Sequence, residues 1–161
     1  MIRVVPANRL HCADMAELLN EVIAEGGTTA ITTPVSANDI QTKMERNPGK
    51  SAWHVAEDEE GRVQGFQWID SADYLPPEAA EIATFARVGK TGLGIGSALF
   101  EATKQAARDL GYGWINANIR ADNTGGLAYY QSRGFEDYGR IDNYRMENGQ
   151  VVDKVLKRLN L

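Results

Sequence analysis

Three glycines in five residues, Gly92-Leu93-Gly94-Ile95-Gly96, followed by Ser97, are the part of this 161-residue chain that speaks most directly of chemistry. Glycines let backbone N–H groups approach a ligand closely, and a helix opening here adds partial positive charge at its N-terminus. Pyrophosphate is the natural guest. The competing reading is conformational: a tight turn that needs positive φ. Two well-known phosphate patterns fail. No Gly-x-x-x-x-Gly-Lys-Ser/Thr spacing exists, and in a Gly-x-Gly-x-x-Gly pattern the third glycine would fall on Ser97 or Leu99. Other reactive side chains are sparse. His11 and His54 lack partners at metal-ligand or triad spacing, and Cys12 is the single cysteine. No metal is expected, and Cys12 reads as a small buried hydrophobe.

The turn needs a strand before it and a helix after it, and the periodicities supply both. Residues 81–88 read as a strand. A helix over residues 94–110 presents Ile95, Ala98, Leu99, Ala102, Ala106 and Leu110 as its apolar face. Upstream, residues 2–5 form a β-branched strand stopped by Pro6. Met15, Leu18, Leu19, Val22 and Ile23 then repeat with helical period until Gly26-Gly27. Ser36 and Asp39 make a capping box for a second helix carrying Ile40 and Met44, ended by Asn47-Pro48-Gly49. Residues 53–57 and 63–70 read as a hairpin, and 71–77 as a loop. Residues 114–119 alternate as a strand, and 123–133 form a short helix stopped by Gly134. Residues 137–145 and 151–159 close the chain as a hairpin around Asn148-Gly149. The order β-α-α-β-β-β-α-β-α-β-β describes an α/β or α+β protein, one layer of mixed sheet with helices on its faces.

Set between that strand and helix, the glycine turn resembles the pyrophosphate loop of the GCN5-related N-acetyltransferases, Gln/Arg-x-x-Gly-x-Gly/Ala. Aligned on Gly94-Ile95-Gly96, the Gln/Arg position holds Thr91; an overlapping register on Gly92-Leu93-Gly94 would put Gly89 there. A second stretch, Asn123-Thr124-Gly125-Gly126-Leu127-Ala128-Tyr129-Tyr130-Gln131-Ser132-Arg133-Gly134-Phe135, resembles the family's asparagine followed by Tyr-x-x-x-Gly-Phe. The likeness runs from Ile2 to the final strand. Residues 19–29, Thr33-Pro34 and residues 143–153 are similar to the phosphinothricin and methionine-sulfone acetyltransferase subgroup.

The resemblance implies a single N-acetyltransferase domain over residues 1–161. Its sheet would be twisted, mixed and mostly antiparallel, with about six or seven strands flanked by about four helices. It implies acetyl-CoA as co-substrate, without metal, and direct attack on the thioester by the primary amine of a small amino-acid-like acceptor. The backbone of Gly92, Leu93, Gly94, Ile95, Gly96 and Ser97 would cradle the pyrophosphate, with the Ser97 hydroxyl helping. Asn123 would contact the pantetheine arm and could also cap its helix. Tyr130, preferred over Tyr129 by its spacing to Gly134, would lie beside the sulfur and protonate the leaving thiolate. An N–H among Phe85, Ala86 and Arg87, where relatives splay the strand, would hold the oxyanion. Glu81 would be the base, directly or through water; otherwise it is a solvated strand end.

Composition bounds the rest. Hydrophobic residues make up 43% and charged residues 24%, an ordinary globular mix. Seventeen Lys+Arg against 22 Asp+Glu give a net charge of −5, which argues against nucleic acid as partner. No apolar run approaches the ~20 residues of a membrane span. The first residues carry no apolar leader core, so a cytoplasmic protein is expected, and the resemblance implies a homodimer. Rival readings are a protein N-terminal or lysine acetyltransferase with the same cofactor, and a non-catalytic acyl-CoA-binding regulatory module. Thr91 leaves room for the second; Glu81 and Tyr130 together argue against it.

Overall fold

The computed structural model describes residues 1–89 and 94–161. The elements are β1 (Arg3–Pro6), a single 3-10 turn (Arg9–His11), α1 (Cys12–Glu25), α2 (Ala37–Glu45), β2 (Ala52–Glu57), β3 (Val63–Asp70), β4 (Ala79–Ala86), α3 (Ile95–Asp109), β5 (Trp114–Arg120), α4 (Thr124–Ser132), β6 (Glu136–Arg145) and β7 (Val151–Asn160). Their order is the one expected from the sequence. The strands form one seven-stranded sheet, β1-β2-β3-β4-β5-β7-β6. Every neighbouring pair is antiparallel except β4 and β5.

Side-chain alternation divides the sheet into two packed faces. On one face, Trp53, Val55, Phe66 and Phe85 pack under Met15, Leu18 and Leu19 of α1 and Ile40 of α2. On the other, Ile69, Ala80, Ile82, Ile115, Ala117 and Ile119 pack with Phe100 and Ala107 of α3 and with Tyr130 and Phe135. Local signals set the helix ends. The α1 helix stops at Gly26, at φ 76°, whose N–H donates to Val22 O. The α2 helix opens on the expected capping box: Asp39 N–H donates to Ser36 Oγ at 3.0 Å and Ser36 N–H to Asp39 Oδ2 at 2.8 Å.

Two expectations are corrected. The strand before the glycine turn spans Ala79–Ala86, two residues earlier than 81–88. The buried face of α3 is Ile95, Leu99, Phe100, Thr103 and Ala107, while Ala98 is exposed and Ala102, Ala106 and Leu110 are half-buried. Both stripes have helical period. Burying one phenylalanine removes far more apolar surface than burying several alanine methyls, so Phe100 sets the rotation.

Candidate active site

The sheet comes apart between its two parallel strands. The β4/β5 register runs only from Ala79↔Trp114 to Ile82↔Ala117, yet β4 continues to Ala86 and β5 to Arg120. Past those pairs the facing edges form a notch through the sheet. The N–H groups of alternate residues in a strand point to the same neighbour. Arg87 N–H donates to Gln64 O of β3 at 2.9 Å. Phe85 N–H therefore faces β3 as well, and the N–H groups of Thr84 and Ala86 face the notch. Of the three candidates for oxyanion donor, geometry offers Ala86 and withdraws Phe85 and Arg87.

Both side chains also have other occupations. Phe85 is buried and packs tilted against Phe66 at 5.0 Å between centroids. Arg87 is buried among Asp14, Glu17 and Glu21 at 2.9, 3.0 and 2.7 Å, and donates through Nε to Val63 O. It ties α1 to the end of the sheet.

Glu81 stands on the α1/α2 side of the notch. Tyr74 Oη, from the loop before β4, donates to its Oε1, and Asn116 Nδ2 donates to the same oxygen at 3.2 Å. Asn118, the first β5 residue past the last pair, donates from Nδ2 to Tyr74 Oη at 3.2 Å. Burial pushes the Glu81 carboxyl above the ordinary carboxylate range, against the opposing pull of Tyr74, Asn116, Lys154 and Lys43. A carboxylate raised this way is suited to taking a proton near neutral pH. It is not a solvated strand end.

Tyr130 lies on the opposite side. Its hydroxyl is 2.8 Å from Thr84 Oγ1, and its ring is buried edge-on to Tyr129 and Phe135. Burial pushes its hydroxyl well above the usual tyrosine range, partly opposed by Thr84. Behind the pair runs a buried polar chain. Tyr129 Oη donates to Gly96 O at 2.7 Å, so it must accept from Gln67 Nε2 at 3.1 Å. The second Nε2 hydrogen goes to Thr84 Oγ1 at 2.8 Å. The Thr84–Tyr130 pair is then left with two hydroxyl hydrogens and one acceptor between them among the described residues. One hydrogen is available to a ligand.

Gly92 and Leu93 lie outside the described residues. Of the rest of the turn, Gly94 caps α3 in the left-handed region, at φ 76°, with no side-chain cap bond. Among the described residues no side chain caps the first N–H groups of α3, and groups in that position can bind an anion. Ile95 is buried in the core against Leu99 and Ala56. Gly96 is glycine for a different reason: a Cβ there would lie 2.6 Å from Tyr129 Cε1. Ser97 Oγ accepts from Arg133 Nη1 at 2.6 Å, which brings a guanidinium to this helix end. Arg133 can thus supply the cation absent at Thr91. Asn123 caps α4, accepting from Gly126 N–H at 2.9 Å, and its Nδ2 donates to Thr28 O at 3.0 Å.

The two histidines and the cysteine stay out of this arrangement: His11 faces Glu57 at 3.2 Å, burial lowers the pKa of His54, and burial raises that of Cys12. Among the described residues no group of three potential ligands is placed to hold a metal. A surface hollow of about 420 Å3 lined by Met1, Arg3, Asp58, Glu59 and Gly61 lies at the β1 edge, away from the notch.

Sequence reasoning missed Tyr74, Thr84, Gln67, Asn116, Asn118 and Arg133. A signal existed for the two asparagines, polar residues alternating with Ile115, Ala117 and Ile119 in a strand central to the sheet.

A split parallel pair, a helix N-terminus at its open end, and an acid and a phenol on its two sides define an acyl-transfer fold, and comparison with known proteins agrees. The sequence profile of the acetyltransferase (GNAT) family matches residues 16–135, and the chain belongs to that family. YwnH of Bacillus subtilis, named as a candidate phosphinothricin acetyltransferase, is 28% identical over 146 residues, covering 88% of each chain. A phosphinothricin acetyltransferase from Sinorhizobium meliloti, solved with AcCoA, superposes with a TM-score of 0.86 at 22% identity, over 99% of this chain and 88% of that one. A ribosomal-protein-alanine N-acetyltransferase from Brucella melitensis gives a TM-score of 0.89 at 22% identity, over 99% of both chains. The mostly antiparallel seven-stranded sheet with four helices is the fold expected from the resemblance.

Proposed function

We propose that the chain transfers the acetyl group of acetyl-CoA to the primary amine of a small amino-acid-like acceptor. The observation that carries this reading is the notch, with the Glu81 carboxyl on one side of the sheet and the Tyr130 hydroxyl on the other. Residues lining it suit a thioester entering from the α3/α4 side. In this reading the α3 N-terminus, Gly94 and Arg133 receive the pyrophosphate, and the co-substrate supplies an activated acetyl carbonyl. The remaining groups of the reading belong to this chain. Glu81 takes the proton that the attacking ammonium must lose, directly or through water. The N–H groups of Ala86 and Thr84 stabilise negative charge on the carbonyl oxygen. As the N–C bond forms and the C–S bond breaks, the Thr84–Tyr130 pair donates its uncommitted hydrogen to the departing sulfur. Asn123, which caps α4 and holds Thr28 O, is the residue assigned to the pantetheine arm in this reading.

A small acceptor is favoured over a protein chain by the segment 26–36. Thr28 O and Thr29 O accept from Asn123 and Arg120, and Thr33 Oγ1 donates to Glu147 at 2.6 Å. The segment therefore roofs the acceptor side, where a polypeptide substrate would need an open groove. The test is a screen of free amines, amino-acid analogues and peptides for CoA release from acetyl-CoA. Turnover confined to peptides would replace the small-molecule reading, and turnover with none of these acceptors would overturn the transferase reading.

A further inference from the structure

Among the described residues four cationic side chains are buried: Arg87, Arg120, Lys154 and Lys157. Three have carboxylate partners. Arg87 has Asp14, Glu17 and Glu21; Arg120 has Asp122 at 2.7 Å; Lys157 has Asp137. Lys154, only 8% exposed, has none among the described residues. Its ammonium rests on the face of the Tyr144 ring, 3.6 Å from the centroid. The nearby Asp153 is held by Arg140 at 3.5 Å and by the N–H of Asn143 at 2.9 Å. The side chain is largely buried while its ammonium keeps some contact with solvent, and a ring face offsets only part of the cost of lacking a counter-ion.

The register puts Lys154 at the notch. It pairs with Arg120, the last residue of β5. Arg120 shares a face with Asn116, whose amide reaches Glu81. Lys154 therefore stands on the acceptor side, level with the open end of the notch, and its charge is felt by Glu81. A second ammonium without a carboxylate partner among the described residues, Lys43 of α2, flanks Glu81 from the other direction, 4.8 Å over Trp68. On this face two ammonium groups, Lys154 and Lys43, stand with two carboxylates, Glu81 and its cross-strand neighbour Asp70, and Asp70 acts on Lys43. Lys154 thus keeps a positive charge for a molecule that carries an acid beside its amine.

We propose that Lys154, on the acceptor side of the notch, binds the acidic group of the acceptor, so that the enzyme selects amines bearing a carboxylate or an equivalent oxyanion over neutral or cationic ones. The proposal rests on the acetyltransferase reading for its role in turnover, but the binding step can be measured without it. The probes are N-acetylglutamate and its diamide, titrated calorimetrically into the wild-type chain with CoA present. A hydrogen bond to a charged group implies a preference for the acid of roughly 10–100-fold. Lys154→Met, matched in length and apolarity, should abolish the preference; Lys154→Arg should keep part of it; Lys43→Met should reduce it less. Equal binding of acid and diamide by the wild type overturns the proposal. So does a preference that survives in a folded Lys154→Met. If Lys154→Met does not fold, the Arg variant decides, because loss of preference in folded Lys154→Arg also overturns it. Kinetics separate the two readings. Lys154-dependent binding with no turnover of any amine sinks the transferase and leaves the subsite standing. Turnover with the same KM for glutamate and its diamide does the reverse.

Discussion

Replacing Tyr130 by phenylalanine removes one hydroxyl from a buried ring and little else. Thr84 Oγ1 keeps the hydrogen bond donated by Gln67 at 2.8 Å, so no buried acceptor is orphaned. The stability cost should be that of one net hydrogen bond, about 0.5–1.5 kcal/mol. For a chain of this length that lowers Tm by only a few degrees, at roughly 2–4 °C per kcal/mol. The effect on chemistry should be larger. General acid catalysis is typically worth ~10²–10⁴-fold. Burial pushes the Tyr130 hydroxyl above its ordinary value, whereas thiols titrate near ~8.5, so full proton transfer to the thiolate is uphill. The hydroxyl then contributes mainly as a hydrogen bond to developing charge, which puts the loss at the low end, about 10²-fold in kcat. The assay is CoA release at saturating acceptor and acetyl-CoA, paired with calorimetric binding of acetyl-CoA, which should change little. Thr84→Val is the control: it strands a Gln67 N–H hydrogen, so it should cost more stability and less turnover than Tyr130→Phe. Full turnover in Tyr130→Phe would refute the role given to this hydroxyl.

Glu81→Gln should lose most activity at low pH and recover part of it as pH rises and free amine accumulates, which a pH–rate profile reads. Its stability should move the other way. Burial raises the folded-state pKa of Glu81 above the unfolded one, so its favourable contribution is present below the unfolded value and lost as pH rises through the folded one. Glutamine does not titrate, so the Tm difference of Glu81→Gln relative to wild type should turn more favourable from acid to neutral pH; a pH-independent difference would contradict a raised Glu81. Gly94→Ala should cost about 1–2 kcal/mol from its left-handed backbone, whereas Gly96→Ala should cost more and depress kcat, because its Cβ displaces Tyr129; equal thermal shifts would count against this distinction. The chain is expected to form a homodimer, and a monomer mass by light scattering at micromolar concentration would rule that out.

What was legible in the sequence was local. The Ser36–Asp39 cap, the Gly26 stop and the Asn123 cap each depend on residues within four positions, and each stands where the pattern placed it. The α3 face was misread because periodicity fixes a stripe's spacing but not its rotation, and one large side chain outweighs several small ones. The surroundings of Glu81 were illegible for a different reason. Tyr74, Asn116 and Lys154 come from a loop and two other strands, and only the β4-β5-β7 register brings them together. Arg133 was passed over because its partner, Ser97, is 36 residues away.

The separation of base and acid follows from strand parity. Glu81 and Thr84 are an odd number of residues apart on β4, so their side chains must point to opposite faces. Within a continuous sheet that would isolate them, since neither could reach through the backbone ladder. The early end of the β4/β5 register removes the ladder at that place. The two faces then communicate through the notch, with the Thr84 and Ala86 N–H groups along its edge. Each face is also chemically suited to one reactant. In the proposed reaction the α3/α4 side offers the α3 N-terminus and Arg133 to a phosphate, and the α1/α2 side offers the raised Glu81 carboxyl and the Lys154 ammonium, which has no carboxylate partner among the described residues. An odd spacing that would be a fault in an intact sheet is thus what the proposed reaction requires, since it gives each of the two substrates its own side of the sheet.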